Sequence, residues 1–329
     1  MAEVTPDSIF QIASGFMAAK HLFVANEVGL FAHLAEGAAT LGDLSQRLGL
    51  PRHTTRMVAD AMVALGMVQR VGEHYQNAPV ADAFLSGRTA TDVRPILRQF
   101  NHLSYPRWAH LEEAVRTGKA VFGEFAFTTD EQKIYSEGVE AITAGTAQAL
   151  ATQYDFSPHR RVLDLGGGTG SFLIAILRQH PHLACTLFEL PPVAAVARRR
   201  LTTTSLAQDL QIVEGDFFQD PIPADHDAII IANVWHNYSP ERNVDLLHRV
   251  RRSVAAETRL LLVDFWTDPT HTQPLAAALM VGGFLLTTGE GDVYSVEEVH
   301  KWLQETRWQP VAHVPLGGPS SLIVAEPVT

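Results

Sequence analysis

Apolar positions in the first ninety residues recur at helical spacing, through residues 9–34, again through 41–48 and again through 54–67. Gly49-Leu50-Pro51 interrupts the last two runs, so the pattern predicts a helix-turn-helix. Residues 68–71 and 74–76 then read as two short strands around the turn Gly72-Glu73, which completes a winged-helix outline. From about Asp92 to about Tyr154 the chain is mostly helical and rich in aromatics, with a glycine-containing loop near 117–123. At Arg161 the pattern changes to short apolar strands alternating with helices, the signature of a doubly wound parallel sheet. The predicted strands are 161–165, 185–189, 211–214, 228–233, 259–264, 311–315 and 321–325. Only Gly317-Gly318-Pro319 and their immediate neighbours separate the last two, too few residues for a helical crossover, so these should pair antiparallel at the sheet edge.

Composition narrows this picture. A chain of 329 residues with 46% hydrophobic and 19% charged residues can bury more than one sizeable core. The expected division is a winged-helix-like domain over 1–90, a helical linker and substrate region over 91–155, and an α/β domain over 156–329. The single cysteine, Cys185, excludes an internal disulfide and a thiolate-rich zinc site, which points to a reducing cytoplasm. The leading residues lack the pattern of a signal peptide, and the longest apolar stretch, 275–286, is too short for a bilayer, so no membrane partner is expected. A net charge of −11 repels polyanions, and nucleic acid is not expected either.

The chemistry begins at Asp164-Leu165-Gly166-Gly167-Gly168-Thr169-Gly170, directly after a predicted strand and directly before a predicted helix. Glycines let a backbone turn sharply and approach a ligand, and ligands bind at the carboxyl ends of strands in such sheets. The dinucleotide fingerprint G-x-G-x-x-G fails here, because its third glycine position falls on Ser171 or Leu173. What is met instead is an acid followed by glycines at every second position: Asp164, Gly166, Gly168 and Gly170. An acid on this loop opposes a pyrophosphate but suits the cationic amino and sulfonium groups of S-adenosylmethionine. Glu189 ends the next strand 25 residues on, where a carboxylate can accept ribose hydroxyls. Asp216, in Gly215-Asp216-Phe217, can take an adenine amino group while Phe217 packs on the ring. Each acid alone could be a solvated strand-end residue; three at successive strand ends make a cofactor site.

On these motifs the chain resembles the small-molecule O-methyltransferases of the caffeate and hydroxyindole type and their bacterial natural-product relatives. Asp164-x-Gly166-x-Gly168-x-Gly170, Glu189-Leu190-Pro191 and Gly215-Asp216-Phe217-Phe218 match the family's cofactor motifs, with Glu189 replacing the commoner aspartate. The resemblance implies a Rossmann-like class I methyltransferase domain, an N-terminal helical winged-helix dimerisation domain, S-adenosylmethionine as cofactor and a homodimer whose N-terminal helices help close the partner's acceptor pocket. The family's His-Asp-Trp segment stands here as Trp235-His236-Asn237-Tyr238, which keeps the histidine and loses its acidic neighbour. The family's two orienting acids fall at Asp264 and Asp292, both shorter than the glutamates usual in the plant enzymes.

His236 is therefore the expected general base, beside the donor methyl at the carboxyl edge of the sheet. A phenol near pKa 10 and a histidine near 6.5 put full deprotonation uphill by about 5 kcal/mol, so proton loss should accompany attack. Asp264 is the first choice to fix the tautomer, with Asp292 a second partner. Phe100, Tyr105, Trp108, Phe122, Met280 and Phe284, with His102, Phe125 and Phe127, are candidates for a flat acceptor pocket, although aromatics at helical spacing also serve as plain core. No histidine pair among His102, His236 and His271 has the spacing of a helical metal site, so no metal is expected.

Two other readings remain open. A carbon or nitrogen acceptor, such as an indole or a keto acid, would use the same donor site. A DNA-binding regulator would use the helix-turn-helix, but residues 1–90 carry six basic against eight acidic side chains, where a DNA reader should be basic. Met57, Val58, Ala61, Met62, Val63 and Leu65 on its second helix also suit a buried interface better than a groove.

Overall fold

The computed structural model describes residues 5–89, 91–123, 127–202, 204, 206 and 209–328. The chain divides into two compact units, Met1–Pro106 with Phe127–Ile142, and Arg107–Ala126 with Thr143–Thr329.

The first unit begins with α1 (Asp7–Glu27) and α2 (Leu30–Leu34), where the sequence pattern suggests one continuous run; Gly29, at φ 78°, breaks it. There follow β1 (Ala39–Thr40), α3 (Leu41–Leu48), α4 (Arg52–Ala64), β2 (Val68–Val71), β3 (His74–Asn77), α5 (Pro79–Phe84) and α6 (Arg94–Gln99). The helix-turn-helix is built as its residues dictate. Thr40 and Asp43 form a reciprocal capping box at the start of α3, and Gly49 ends it in the left-handed conformation. The wing is three-stranded, in the order β1-β3-β2, because Ala39 and Thr40 add an antiparallel strand too short to show as a period-two pattern. The unit is therefore not all helical. Its core gathers Leu30, Phe31, Leu44, Ala59, Met62 and Tyr75. One face of α1 stays bare: Ile9, Phe10, Ile12 and Phe16 are 67%, 65%, 82% and 54% exposed. This helix, unlike the shorter apolar stretch over 275–286, is also long and apolar enough, by length and composition, to cross a membrane.

The helices α7 (Tyr105–Trp108) and α9 (Thr129–Gln153) run across the division, and α8 (Leu111–Thr117) between them belongs to the second unit. The second unit then lays down β4 (Arg161–Leu165), α10 (Ser171–Gln179), β5 (Ala184–Glu189), α11 (Pro191–Leu201), β6 (Leu210–Glu214), β7 (Ala228–Ala232), α12 (Pro240–Ser253) and β8 (Arg259–Phe265). It ends with α13 (Leu275–Thr287), α14 (Val296–Glu305), β9 (Trp308–Gly317) and β10 (Ser320–Pro327). The seven-stranded sheet has the order β6-β5-β4-β7-β8-β10-β9, parallel except for β10, which is antiparallel to both neighbours. Each strand matches its sequence pattern to within a few residues, and the β9–β10 hairpin takes the edge place expected of it. Strands β4, β7 and β8 are hydrophobic nearly throughout because helices cover both faces.

The strand order reverses direction between β4 and β7, the point in a doubly wound sheet where neighbouring loops leave the carboxyl edge on opposite sides and open a crevice. The loops that matter leave from there.

Leu163, fully buried at the centre of β4, tests the core: Leu163→Ala should lower unfolding free energy by about 2–5 kcal/mol. A denaturant midpoint within error of the parent, at unchanged slope, would refute that placement.

Candidate active site

Five strands deliver the candidate groups to one edge of the second unit. Asp164 lies near the end of β4, Glu189 ends β5, Gly215 to Phe217 follow β6, His236 follows β7 and Asp264 lies at the end of β8.

The glycine loop is shaped by its neighbours more than its spacing reveals. Gly166, Gly168 and Gly170 all have positive φ, at 70°, 60° and 83°, which only glycine adopts without strain. A Cβ on Gly168 would still find open space, so a side chain there would be strained rather than crowded. The crowded position is Gly167, which the alternating motif leaves out: its Cβ would stand 2.2 Å from Asp164 Oδ2 and 2.7 Å from Leu187. Gly215 is similarly closed by the Phe188 ring at 2.4 Å. Glu189 accepts the Gly168 amide at 2.8 Å and the Leu190 amide at 2.8 Å, so its carboxylate ties the loop to the end of β5. Asp216 accepts the Phe218 amide at 2.8 Å and the Gln219 side chain at 2.7 Å, and the Phe217 ring lies 3.1 Å from where a Gly166 Cβ would be.

Asp164 differs from the other acids. It is fully buried, and neither carboxyl oxygen has a hydrogen-bond partner among the described residues. Burial, and secondarily the charge of Glu189, push its carboxyl up to about 8. Burial also raises Glu189, against the two amides that it accepts. An unpartnered buried carboxyl at the mouth of a glycine loop can ionise beside a cationic group, so the residues present fit the ammonium of S-adenosylmethionine.

On the other side of the crevice, residues 235–237 form one turn of 3-10 helix. Asn233 enters it at φ 56°, a conformation that asparagine tolerates better than most residues, and Asn243 closes it by donating to the Trp235 and Tyr238 carbonyls. Ser239 caps α12 with Pro240 at its first turn. His236 Nδ1 lies 2.7 Å from Asp264 Oδ1, and both groups are buried. Asp264 also accepts the Trp235 amide at 3.1 Å and the Phe265 amide at 2.8 Å. The imidazole is flanked by Phe284, stacked at 4.2 Å, and by Phe265 at 5.5 Å. Among the described residues its Nε2 has no hydrogen-bond partner.

The remaining candidates divide. Trp108 lies against Gly282 and Gly283 of α13, the Phe122 amide donates to the Leu286 carbonyl at the end of that helix, and Met280 sits one turn before Phe284 on it. Phe100 and Tyr105 pack on Phe23 in the first unit. Phe125 lies outside the described residues. Phe127 stacks on Tyr135 in the first unit. Asp292 Oδ1 accepts the Val293 amide, and no hydrogen bond joins Asp292 to His236 among the described residues; the 2.7 Å contact belongs to Asp264 alone. His102 pairs with Glu27 and His271 with Glu298. Among the described residues no cluster of metal-ligating side chains occurs. An open cleft of about 640 Å³ lies at the opposite, amino edge of the sheet, lined by Arg161, His182, Asp209 and His226, and holds none of the candidates.

The O-methyltransferase domain family matches residues 108–309, and the O-methyltransferase dimerisation domain matches residues 10–87. The tetracenomycin polyketide synthesis 8-O-methyl transferase of Streptomyces glaucescens is 29% identical over 97% of this chain and 96% of its own length. The N,N-dimethyltransferase OxyT of Streptomyces rimosus is 29% identical over 91% of this chain and 89% of its own. Among solved structures, human N-acetylserotonin methyltransferase in complex with S-adenosylmethionine aligns with a TM-score of 0.89 at 25% identity, covering 100% of this chain and 99% of that one.

Asp164 gives the unliganded protein a pH dependence of definite sign. Its carboxyl ionises near the ordinary 3.8 when unfolded and near 8 when folded, so the folded state holds the extra proton between these values. Stability should therefore fall as pH rises from about 4 to about 8, and Asp164→Asn should flatten that slope in melting curves. An unchanged slope in the variant would show that the carboxyl is not the source.

Proposed function

The chain belongs to the O-methyltransferase family and is an S-adenosylmethionine-dependent methyltransferase, and we propose that it methylates a hydroxyl on a small aromatic acceptor, with His236 as general base. The observation that carries this reading is the 2.7 Å contact between His236 Nδ1 and buried Asp264, with Nε2 left unpartnered among the described residues. A carboxylate on Nδ1 holds the proton there and leaves the Nε2 lone pair for an incoming hydroxyl.

When bound, S-adenosylmethionine supplies a methyl group on a sulfonium. The chain's own residues do the rest. Asp164 would face the donor's cationic amino group, Glu189 would accept its ribose hydroxyls, and Asp216 and Phe217 would hold its adenine, on a loop that Gly166, Gly168 and Gly170 allow to come close, with Leu190 and Gly215 beside it. His236 Nε2 takes the acceptor proton as the oxygen attacks, and the charge gained by the ring is met by Asp264 and by the faces of Phe265 and Phe284. Trp108, Phe122, Met280 and Phe284 gather around α13 and form the flat apolar wall on which an aromatic acceptor rests. Asp264 is the orienting acid of this reading, since it and not Asp292 makes the hydrogen bond to the imidazole among the described residues. Support for an aromatic hydroxyl also comes from relatives named for polyketide hydroxyls. A nitrogen acceptor is favoured by one observation, the likeness to an N,N-dimethyltransferase over most of the chain.

A second copy of the chain is the natural cover for the bare face of α1, which falls within the matched dimerisation domain. The reading includes no membrane or nucleic-acid partner and places the enzyme in the cytoplasm, in keeping with an apolar face used for a second copy and a net charge of −11. Light scattering should give a dimer mass at micromolar concentration and a monomer for the Ile12→Asp/Phe16→Asp double variant; a monomeric parent would refute the assignment.

His236→Ala should lower turnover by about a hundred- to ten-thousand-fold at neutral pH while donor affinity stays near that of the parent. Activity should recover toward pH 10, where a phenol ionises unaided. Asp264→Asn should lose a comparable or somewhat smaller factor, and some stability with it, because its carboxylate also holds the Trp235 and Phe265 amides. Near-parent turnover in His236→Ala would remove the base assignment and favour a neutral amine as acceptor.

A further inference from the structure

Arg242 occupies an unusual place for a cation. It lies in the first turn of α12, where the helix dipole disfavours positive charge, yet it is held by three partners. Its guanidinium lies over the Phe218 ring at 4.2 Å and the Tyr238 ring at 4.5 Å, and it meets Glu290 Oε1 at 2.9 Å. These partners lead in two directions. Phe218 and Tyr238 pack edge to face with each other and with Phe217, whose own ring covers Gly166. Glu290 belongs to the loop that carries Gly291, and Gly291 lies so close to the His236 carbonyl that a Cβ there would stand 2.2 Å from it. Tyr294, just beyond, donates to the Tyr238 carbonyl at 2.6 Å.

We infer that Arg242 is a positioning residue that clips the adenine-side aromatic pair, Phe217 and Phe218, to the Glu290–Gly291 loop beside His236, so that the donor site and the base are set by one another. The inference rests on the reading of Phe217 as an adenine contact. Arg242 itself touches neither reacting group; it acts through rings on one side and a carboxylate on the other. Glu290 matters because it holds the guanidinium in place over the rings, so its loss should be felt at a donor site that it does not touch. A charge with no such role would leave ligand affinity unaltered when its exposed ion pair is removed.

The test uses the full chain and S-adenosylhomocysteine as probe, titrated by calorimetry alongside melting temperatures. An exposed ion pair and an exposed cation–π contact each alter an equilibrium by a few-fold, so Arg242→Gln should weaken binding by about five- to ten-fold. Glu290→Gln should weaken it by about three- to five-fold with little change in melting temperature. The double variant should bind no more weakly than Arg242→Gln alone, because the two act through one contact. Arg242→Lys, which keeps the charge on Glu290, should recover part of the loss. Parental affinity in Glu290→Gln, losses that multiply in the double variant, or a lysine variant as weak as the glutamine would each overturn the clip. A parent that fails to bind the probe would instead overturn the cofactor site on which it rests.

Discussion

Asp264 is the group on which the carboxyl edge of the second unit depends. Its buried carboxylate accepts three donors at once, the His236 ring and the Trp235 and Phe265 amides, and so joins the turn after β7 to the end of β8. A charge without water is tolerable only when its lone pairs are used, and here they are. One requirement thus settles two matters: the backbone course of the 235–237 turn and the direction in which the imidazole presents its free nitrogen. The functional geometry is a by-product of satisfying a buried acid.

Asp164 shows the opposite arrangement within the same sheet. It has the burial of Asp264 without hydrogen-bond donors among the described residues, so in the unliganded protein its carboxyl keeps a proton at neutral pH and its lost solvation is not made good. Proteins often hold such a deficit where a ligand removes it, because the stability forgone in the free state returns as affinity and selectivity in the bound one. The failed dinucleotide fingerprint and the orphaned carboxyl are two separate observations that favour a cationic ligand group over a pyrophosphate at this loop.

The sequence carried the architecture well because burial imposes periodicity. β4, β7 and β8 are continuous apolar runs since both of their faces are covered, and the turn chemistry of Gly49 and Gly317-Gly318 marks real changes of direction. Elements held by few residues were less legible: β1 has two, and the break at Gly29 lies inside an otherwise helical pattern. In the site, strand-end acids and His236 could be read because each ends or follows a recognisable strand. Gly167 and Gly291 could not, since their need for a missing side chain comes from how the Asp164 carboxyl folds back over the loop beside Leu187, and from the His236 carbonyl, contacts that spacing does not reveal. Asp292 shows a related limit of spacing. Its position in sequence suits an orienting acid, whereas its carboxylate is engaged by the amide of Val293.

The stacking of Phe284 on His236 has a spectroscopic consequence. The chain has 15 histidines, and their imidazole proton resonances would ordinarily crowd together. A phenyl face held at 4.2 Å and 23° from one imidazole places its carbon-bound protons in the shielding cone of the ring current. His236 should therefore stand upfield of the others in a proton spectrum, an internal reporter whose position reads both its protonation and any acceptor ring that slides in beside it.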